Sequence, residues 1–176
     1  MVIAKTLEAH TFLSKQMQQR RIKRLYYAIV NGIITSGGTV DAPVGRHPTK
    51  RIQMAVVESG KEAVSHYRVI ERFRTHTYLT VQLETGRTHQ IRVHMAHINH
   101  SIVGDAAYGK RVQLPKHASA QVIESLRNIH HQMLHAYQLG LLHPVTREYS
   151  EWSVEIPNDM AELIAILKKD KLESIK

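Results

Sequence analysis

LETGRTHQIRVHMAHINHSIVGDAAYG, residues 83–109, is the stretch on which the reading of this chain turns. It leaves a segment in which Leu79, Val81 and Leu83 alternate with Tyr78, Thr80 and Gln82, the period of a strand with one buried face. Gly86 turns the chain, and Thr88 stands where a helix N-cap is wanted. Ile91, Met95 and Ile98 follow at i, i+4, i+7, which predicts one buried helical stripe. At about 100° per residue, His89, Arg92 and Ala96 share a flank away from that stripe. Arg87 lies in the turn before the helix. A glycine turn feeding a helix N-terminus between two arginines suits an anion, either phosphate or carboxylate. The same arginines also fit a solvated surface. His94, His97 and His100 drift around a helix, and without cysteine or an HExxH pattern their spacing predicts no metal site.

The chain has 176 residues, with 24 Lys and Arg against 15 Asp and Glu, a formal net charge of +9. That length predicts one domain over residues 1–176, large enough to bury a core. The charge predicts a polyanionic partner, nucleic acid ahead of an anionic membrane. Zero cysteine excludes disulfides, zinc–thiolate sites and thiol nucleophiles. No apolar run approaches the roughly 18 residues of a membrane span, and no signal segment is visible, so the expected compartment is the cytoplasm.

In chain order, Met1–Ala4 reads as a strand entered in mid-fold, and Thr6 as the cap of a helix with Ala9, Leu13 and Met17 on one face. Arg20, Arg21, Lys23 and Arg24 then form the densest basic cluster, either a solvated helix exit or a phosphate track. Strands are expected over 25–30, 52–57, 63–73, 77–83, 135–142 and 148–156. In the first of these, Tyr26 and Tyr27 must point to opposite faces. Residues 36–38 and 41–43 read as turns, and 45–51 as a basic loop carrying Arg46, Lys50 and Arg51. Ser119 opens a helix with Val122, Ile123, Leu126 and Ile129 on one side. Asp159 and Glu162 make a capping box for a last helix faced by Met160, Leu163, Ile164 and Leu167. The result is an α+β fold: a mixed, mainly antiparallel sheet flanked by helices.

TGRTHQIRVH followed by IVGDAAYG resembles the signature of the large-subunit ribosomal RNA pseudouridine synthases of the A/C/D family. IKRLYYAIVNG (22–32), RHPTKRIQMAV (46–56) and AVSHY (63–67) are similar to the family's D type, and the likeness runs along all 176 residues. The resemblance implies isomerisation of uridine to pseudouridine in large-subunit ribosomal RNA, without metal or other cofactor. It implies that Tyr26 contacts the target base and that Arg92 pairs with a catalytic aspartate. Arg87 matches the motif's other arginine, in RNA or active-site support; with His89, Gln90 and, on charge alone, Arg20, Arg21, Lys23, Arg24, Arg46, Lys50 and Arg51, it makes up the expected RNA contacts. An arginine beside a carboxylate keeps it ionised, and a tyrosine offers an extruded base a surface to stack on.

One element of that pattern is missing from the sequence. The family's nucleophile lies in an HRLDxxTSG-type motif, whereas the aspartates here are Asp41, Asp105, Asp159 and Asp170, none in such a setting. No small S4-type RNA-binding domain is present in the 176 residues either. The expectation is a C-terminal portion of a catalytic domain, inactive alone, with Arg92 lacking its carboxylate partner and an uncovered edge near Met1–Ala4 that favours self-association. The competing reading is an RNA-binding chain without chemistry. A DNA-binding regulator is disfavoured, because no helix-turn-helix or zinc-finger spacing occurs.

Overall fold

Thr6 Oγ1 accepts the Ala9 N–H at 3.2 Å, and helix α1 (Leu7–Gln18) starts there as its capping residue dictates. The computed structural model describes residues 2–109 and 111–174. The buried residue of α1 is not one of the expected apolar three but Gln16, whose amide clamps the Leu142 backbone through two 2.9 Å bonds. Met17 is 46% exposed. The helix ends on Arg20 in the left-handed region (φ 58°), where glycine is usual, so the basic cluster begins as a helix exit.

Eleven further elements follow among the described residues. Strand β1 is Lys23–Asn31, β2 Gly38–Asp41, β3 Val44–Arg46, β4 Met54–Val56, β5 Val64–Arg72 and β6 His76–Leu83. Then come helix α2 (Gln90–His97), helix α3 (Ala120–Arg127), strands β7 (Leu134–Leu142) and β8 (Tyr149–Ser153), and helix α4 (Asn158–Glu173). Six strands form one sheet in the order β2-β5-β6-β1-β7-β8, with every neighbouring pair antiparallel. Strands β3 and β4 make a separate hairpin. The expected mainly antiparallel α+β architecture is therefore the one observed.

Several boundaries differ for physical reasons. Residues 2–4 form no strand, since they join no ladder, and Met1 lies outside the described residues. Residues 38–41 and 44–46, expected as turns and loop, are short strands whose Gly and Pro content masked their pairing. Asp159 lies inside α4, behind a Pro157 cap, and reaches His131 at 2.8 Å instead of closing a capping box. The α4 face of Met160, Leu163, Ile164 and Leu167 is buried as its spacing requires.

One sheet face is fixed by register. Tyr26 sits opposite Val81 and Ala136, and Ala28 opposite Leu79. Ser65 faces Leu83 and Tyr67 faces Val81, so all of these project to the same side. Helix α2 covers that side at β5. Tyr27 projects to the other face, where it stacks on Tyr137 at 3.8 Å with rings 9° apart. Trp152 on the edge strand β8 and Val154 after it are 51% and 57% exposed, near Ile3 at 72%. Among the described residues no helix is long and apolar enough to cross a membrane.

His76, fully buried with Nε2 unpartnered, has its pKa pushed down to about 4 by burial, against an attractive pull from Asp170. Its folded pKa lies below the unfolded value, so protonation favours the unfolded chain. Stability is retained above about pH 6.5 and falls as pH drops toward 4, by about 3 kcal/mol for a shift of this size. Urea denaturation between pH 7 and 4.5 should show that decline, and His76→Gln should flatten it. His94, shifted the same way by burial, retains part of the slope.

Candidate functional site

The turn into α2 is built around one buried amide. Gln90 Oε1 accepts from Thr85 Oγ1 (2.8 Å) and from the Arg87 N–H (2.9 Å), while Nε2 donates to Val64 O and Ser65 Oγ, both at 3.0 Å. Gln90 is 2% exposed and its amide is spent inside the protein, so it drops out of the expected RNA contacts. Thr88 does not cap α2. The residue before the helix is His89, left-handed at φ 57°, an uncommon conformation for a non-glycine residue, with no side-chain cap. His94 is likewise structural, held between Ser65 Oγ and Ala42 O at 2.9 Å each.

Arg92 emerges from the opposite flank of α2 and meets a carboxylate after all. Its Nε and Nη2 donate to Asp105 Oδ2 and Oδ1 at 2.7 Å each, the bidentate geometry of a strong charge-assisted pair. The expected unpaired Arg92 is corrected: the GDAAYG loop curls back so that Asp105 Oδ1 also accepts the Ala107 and Tyr108 N–H groups at 3.0 Å. The Asp105 side chain is fully buried. Burial pushes its pKa up, but the bonds from Arg92, Tyr108 and Ala107 outweigh burial and hold it below the usual carboxylate range. Arg92 is shifted up by the same hydrogen bond.

Tyr108 packs the pair from the side, with the Arg92 guanidinium 4.8 Å from its ring centroid. Its hydroxyl accepts the Met54 N–H at 2.8 Å and shares a 2.9 Å bond with His89 Nδ1. The sequence placed this tyrosine in the IVGDAAYG stretch but gave it no role. It ties α2 to the β3–β4 hairpin, whose tip exposes Arg46, Lys50 and Arg51. His47 Nδ1 shapes that tip by accepting the Thr49 and Lys50 N–H groups, and Arg46 donates to Arg51 O at 3.0 Å.

The other basic residues gather on the far side of the Gly86 turn. Arg20 bridges Glu62 (2.5 Å) and Glu84 (3.0 Å), Arg87 Nε donates to Glu62 O, and Arg24 Nη2 donates to Glu84 O. Lys23 is paired with Glu151 at 3.0 Å, while Arg21 is exposed. Arg24 and Tyr26, two apart on β1, line a cavity of about 420 Å³ between α1 and the sheet, with His10, Ser14 and Gln138. Tyr26 and Arg92 thus stand on one side of the sheet, Tyr26 in this cavity and Arg92 beside Asp105. Among the described residues no cluster of His, Asp or Glu has the arrangement of a metal site.

Residues 1–97 match the family described as RNA pseudouridylate synthase. The chain is 55% identical over 171 residues to the ribosomal large subunit pseudouridine synthase D of Pseudomonas aeruginosa, covering 97% of this chain and 53% of that protein. It spans about half the length of the curated relatives it matches. Among solved structures, human RNA Pseudouridylate Synthase Domain Containing 1 has a TM-score of 0.71 at 25% identity, covering 93% of this chain and 66% of that one. Human RNA Pseudouridylate Synthase Domain Containing 4 has a TM-score of 0.73 at 24% identity over 96% and 70%, a likeness of fold.

Asp105→Asn should cost about 3 kcal/mol or more in chemical denaturation at pH 7, because it strands a partly buried guanidinium. A loss below about 1 kcal/mol, the range of an exposed pair, would mean that the pair contributes little to holding α2 and the loop together.

Proposed function

Because the chain belongs to the RNA pseudouridylate synthase family, we propose that it forms the Tyr26- and Arg92-bearing part of an enzyme that isomerises uridine in large-subunit ribosomal RNA. The observation that carries this reading is the common side of the sheet shared by Tyr26 and Arg92, with exposed cations on both flanks. The base leaves the RNA stack and lies on Tyr26; its bond from N1 to the ribose breaks and a bond from C5 replaces it, releasing the C5 proton. Arg92 orients the carboxylate that acts at the ribose. Its Nε and Nη2 are held by Asp105, which leaves the Nη1 side of the guanidinium to that second carboxylate.

The acting carboxylate is not one of the four aspartates of this chain. Asp105 is spent on Arg92, Asp159 reaches His131, Asp170 pairs with Arg74, and Asp41 ends β2. Alone, the chain binds RNA; with an aspartate supplied from an HRLDxxTSG segment, it takes part in the isomerisation, in the cytoplasm where ribosomes are made. RNA contact falls to Arg46, Lys50, Arg51, Arg87, His89 and Arg21, with Arg20 and Lys23 partly neutralised by their glutamates.

Tritium release from C5-labelled ribosomal RNA tests the chemistry. The 176-residue chain should release none above background, and the same chain extended by an HRLDxxTSG segment should be active until that aspartate becomes alanine. Turnover by the 176-residue chain would contradict the assignment of its aspartates. Binding is tested separately through salt. The logarithm of affinity for single-stranded RNA should fall by about 0.7 per phosphate contact for each unit of log salt, and R46E with R51E should flatten that slope.

A further inference from the structure

Of the four basic residues between 20 and 24, Arg24 is the one that the fold partly desolvates. It is half-buried, it has no carboxylate partner among the described residues, and its Nε is buried without a hydrogen-bond partner. Leaving a guanidinium so placed is costly unless something neutralises it. The fold nevertheless holds it deliberately. Glu84 O fixes Nη2, and Nη1 occupies the space that a Cβ at residue 86 would fill, so Gly86 is needed for the guanidinium to reach this position. The cavity it lines has a volume of about 420 Å³, within the range of small-molecule sites, and has no acidic side chain among its described lining residues. Its residues with polar side chains are Arg24, His10, Ser14, Gln138 and Tyr26.

We propose that Arg24 is a phosphate-binding group of this cavity, holding a phosphodiester of the single-stranded RNA whose base lies on Tyr26. This rests on the RNA-directed function proposed above, and it separates Arg24 from Arg20 and Lys23, which serve as tethers to Glu62, Glu84 and Glu151. The desolvated setting, which also lowers the Arg24 pKa, strengthens a charge-assisted bond to phosphate relative to one made at the surface. Two residues along the strand, the tyrosine ring supplies the flat surface that a splayed base requires.

The test is fluorescence anisotropy of a short, uridine-rich single-stranded RNA over a range of salt concentrations. Arg24→Met should weaken binding about tenfold or more and reduce the salt slope by about 0.7, one phosphate contact. Gly86→Ala should act in the same direction, although it changes no charge, because the new methyl group displaces Nη1. It has no strained backbone to oppose it, so it remains informative if Arg24→Met fails to fold. Arg24→Lys should retain most of the slope, and Lys168→Met, on α4, should match the unmodified chain. RNA binding whose affinity and slope survive both Arg24→Met and Gly86→Ala would overturn the Arg24 site and leave the function standing. A lower affinity with an unchanged slope would also overturn it, by making Arg24 a packing residue. Failure of the unmodified chain to bind RNA at low salt would overturn both.

Discussion

The buried amide of Gln90 is the constraint from which the rest of the site follows. Four hydrogen bonds, to Thr85, Arg87, Val64 and Ser65, fasten the first turn of α2 to the rim of the sheet. The bonds to Thr85, Val64 and Ser65 are out of water, so removing the amide would strand those partners at about 1–3 kcal/mol apiece. With that turn fixed, Arg87 falls beside Glu62, the Gly86 turn opens to admit Arg24, and Arg92 projects toward the Asp105 loop. His89 takes a left-handed backbone at the junction, where Tyr108 steadies its ring.

A second principle sorts the positive charges. An excess of nine does not mean nine equivalent phosphate contacts. Arg20 and Lys23 are engaged by glutamates, Arg74 by Asp170 and Arg92 by Asp105, whereas Lys50, Arg51 and Arg21 stand in solvent. Exposed pairs contribute little to stability and can be exchanged for phosphate at small cost. The Arg92–Asp105 pair is different: with the carboxylate wholly buried, it acts as a fixed part of the frame. Tyr108 connects this frame to the hairpin whose tip carries the exposed charges, so the position of those charges is fixed relative to Arg92.

Much of the frame was legible in the sequence because it obeys simple periods. The alternation of Leu79, Val81 and Leu83, the opposed faces of Tyr26 and Tyr27, and the apolar stripes of α2 and α4 all follow from strand and helix geometry. What stayed hidden depends on contacts between distant residues. Nothing local marks Gln90 as a core residue, since its partners lie on β5 and in the turn before it. Thr88 had the right chemistry for a cap, but Gln90 satisfies the turn from inside the helix. The pairing of Arg92 with Asp105 needed the loop to fold back over 13 positions. The resemblance of TGRTHQIRVH to a known signature singled out Arg92; it gave no hint that a second carboxylate already holds it.

Photocrosslinking with RNA carrying 4-thiouridine at single positions tests most directly the claim that RNA meets the α2 side of the sheet. Mass spectrometry of the adducts should find the reactive base joined to Tyr26 or its cavity neighbours, with flanking positions reaching Arg24 and the 46–51 hairpin tip. Adducts concentrated on Tyr27, Tyr78 and Tyr137 would place the RNA on the opposite face and contradict the account.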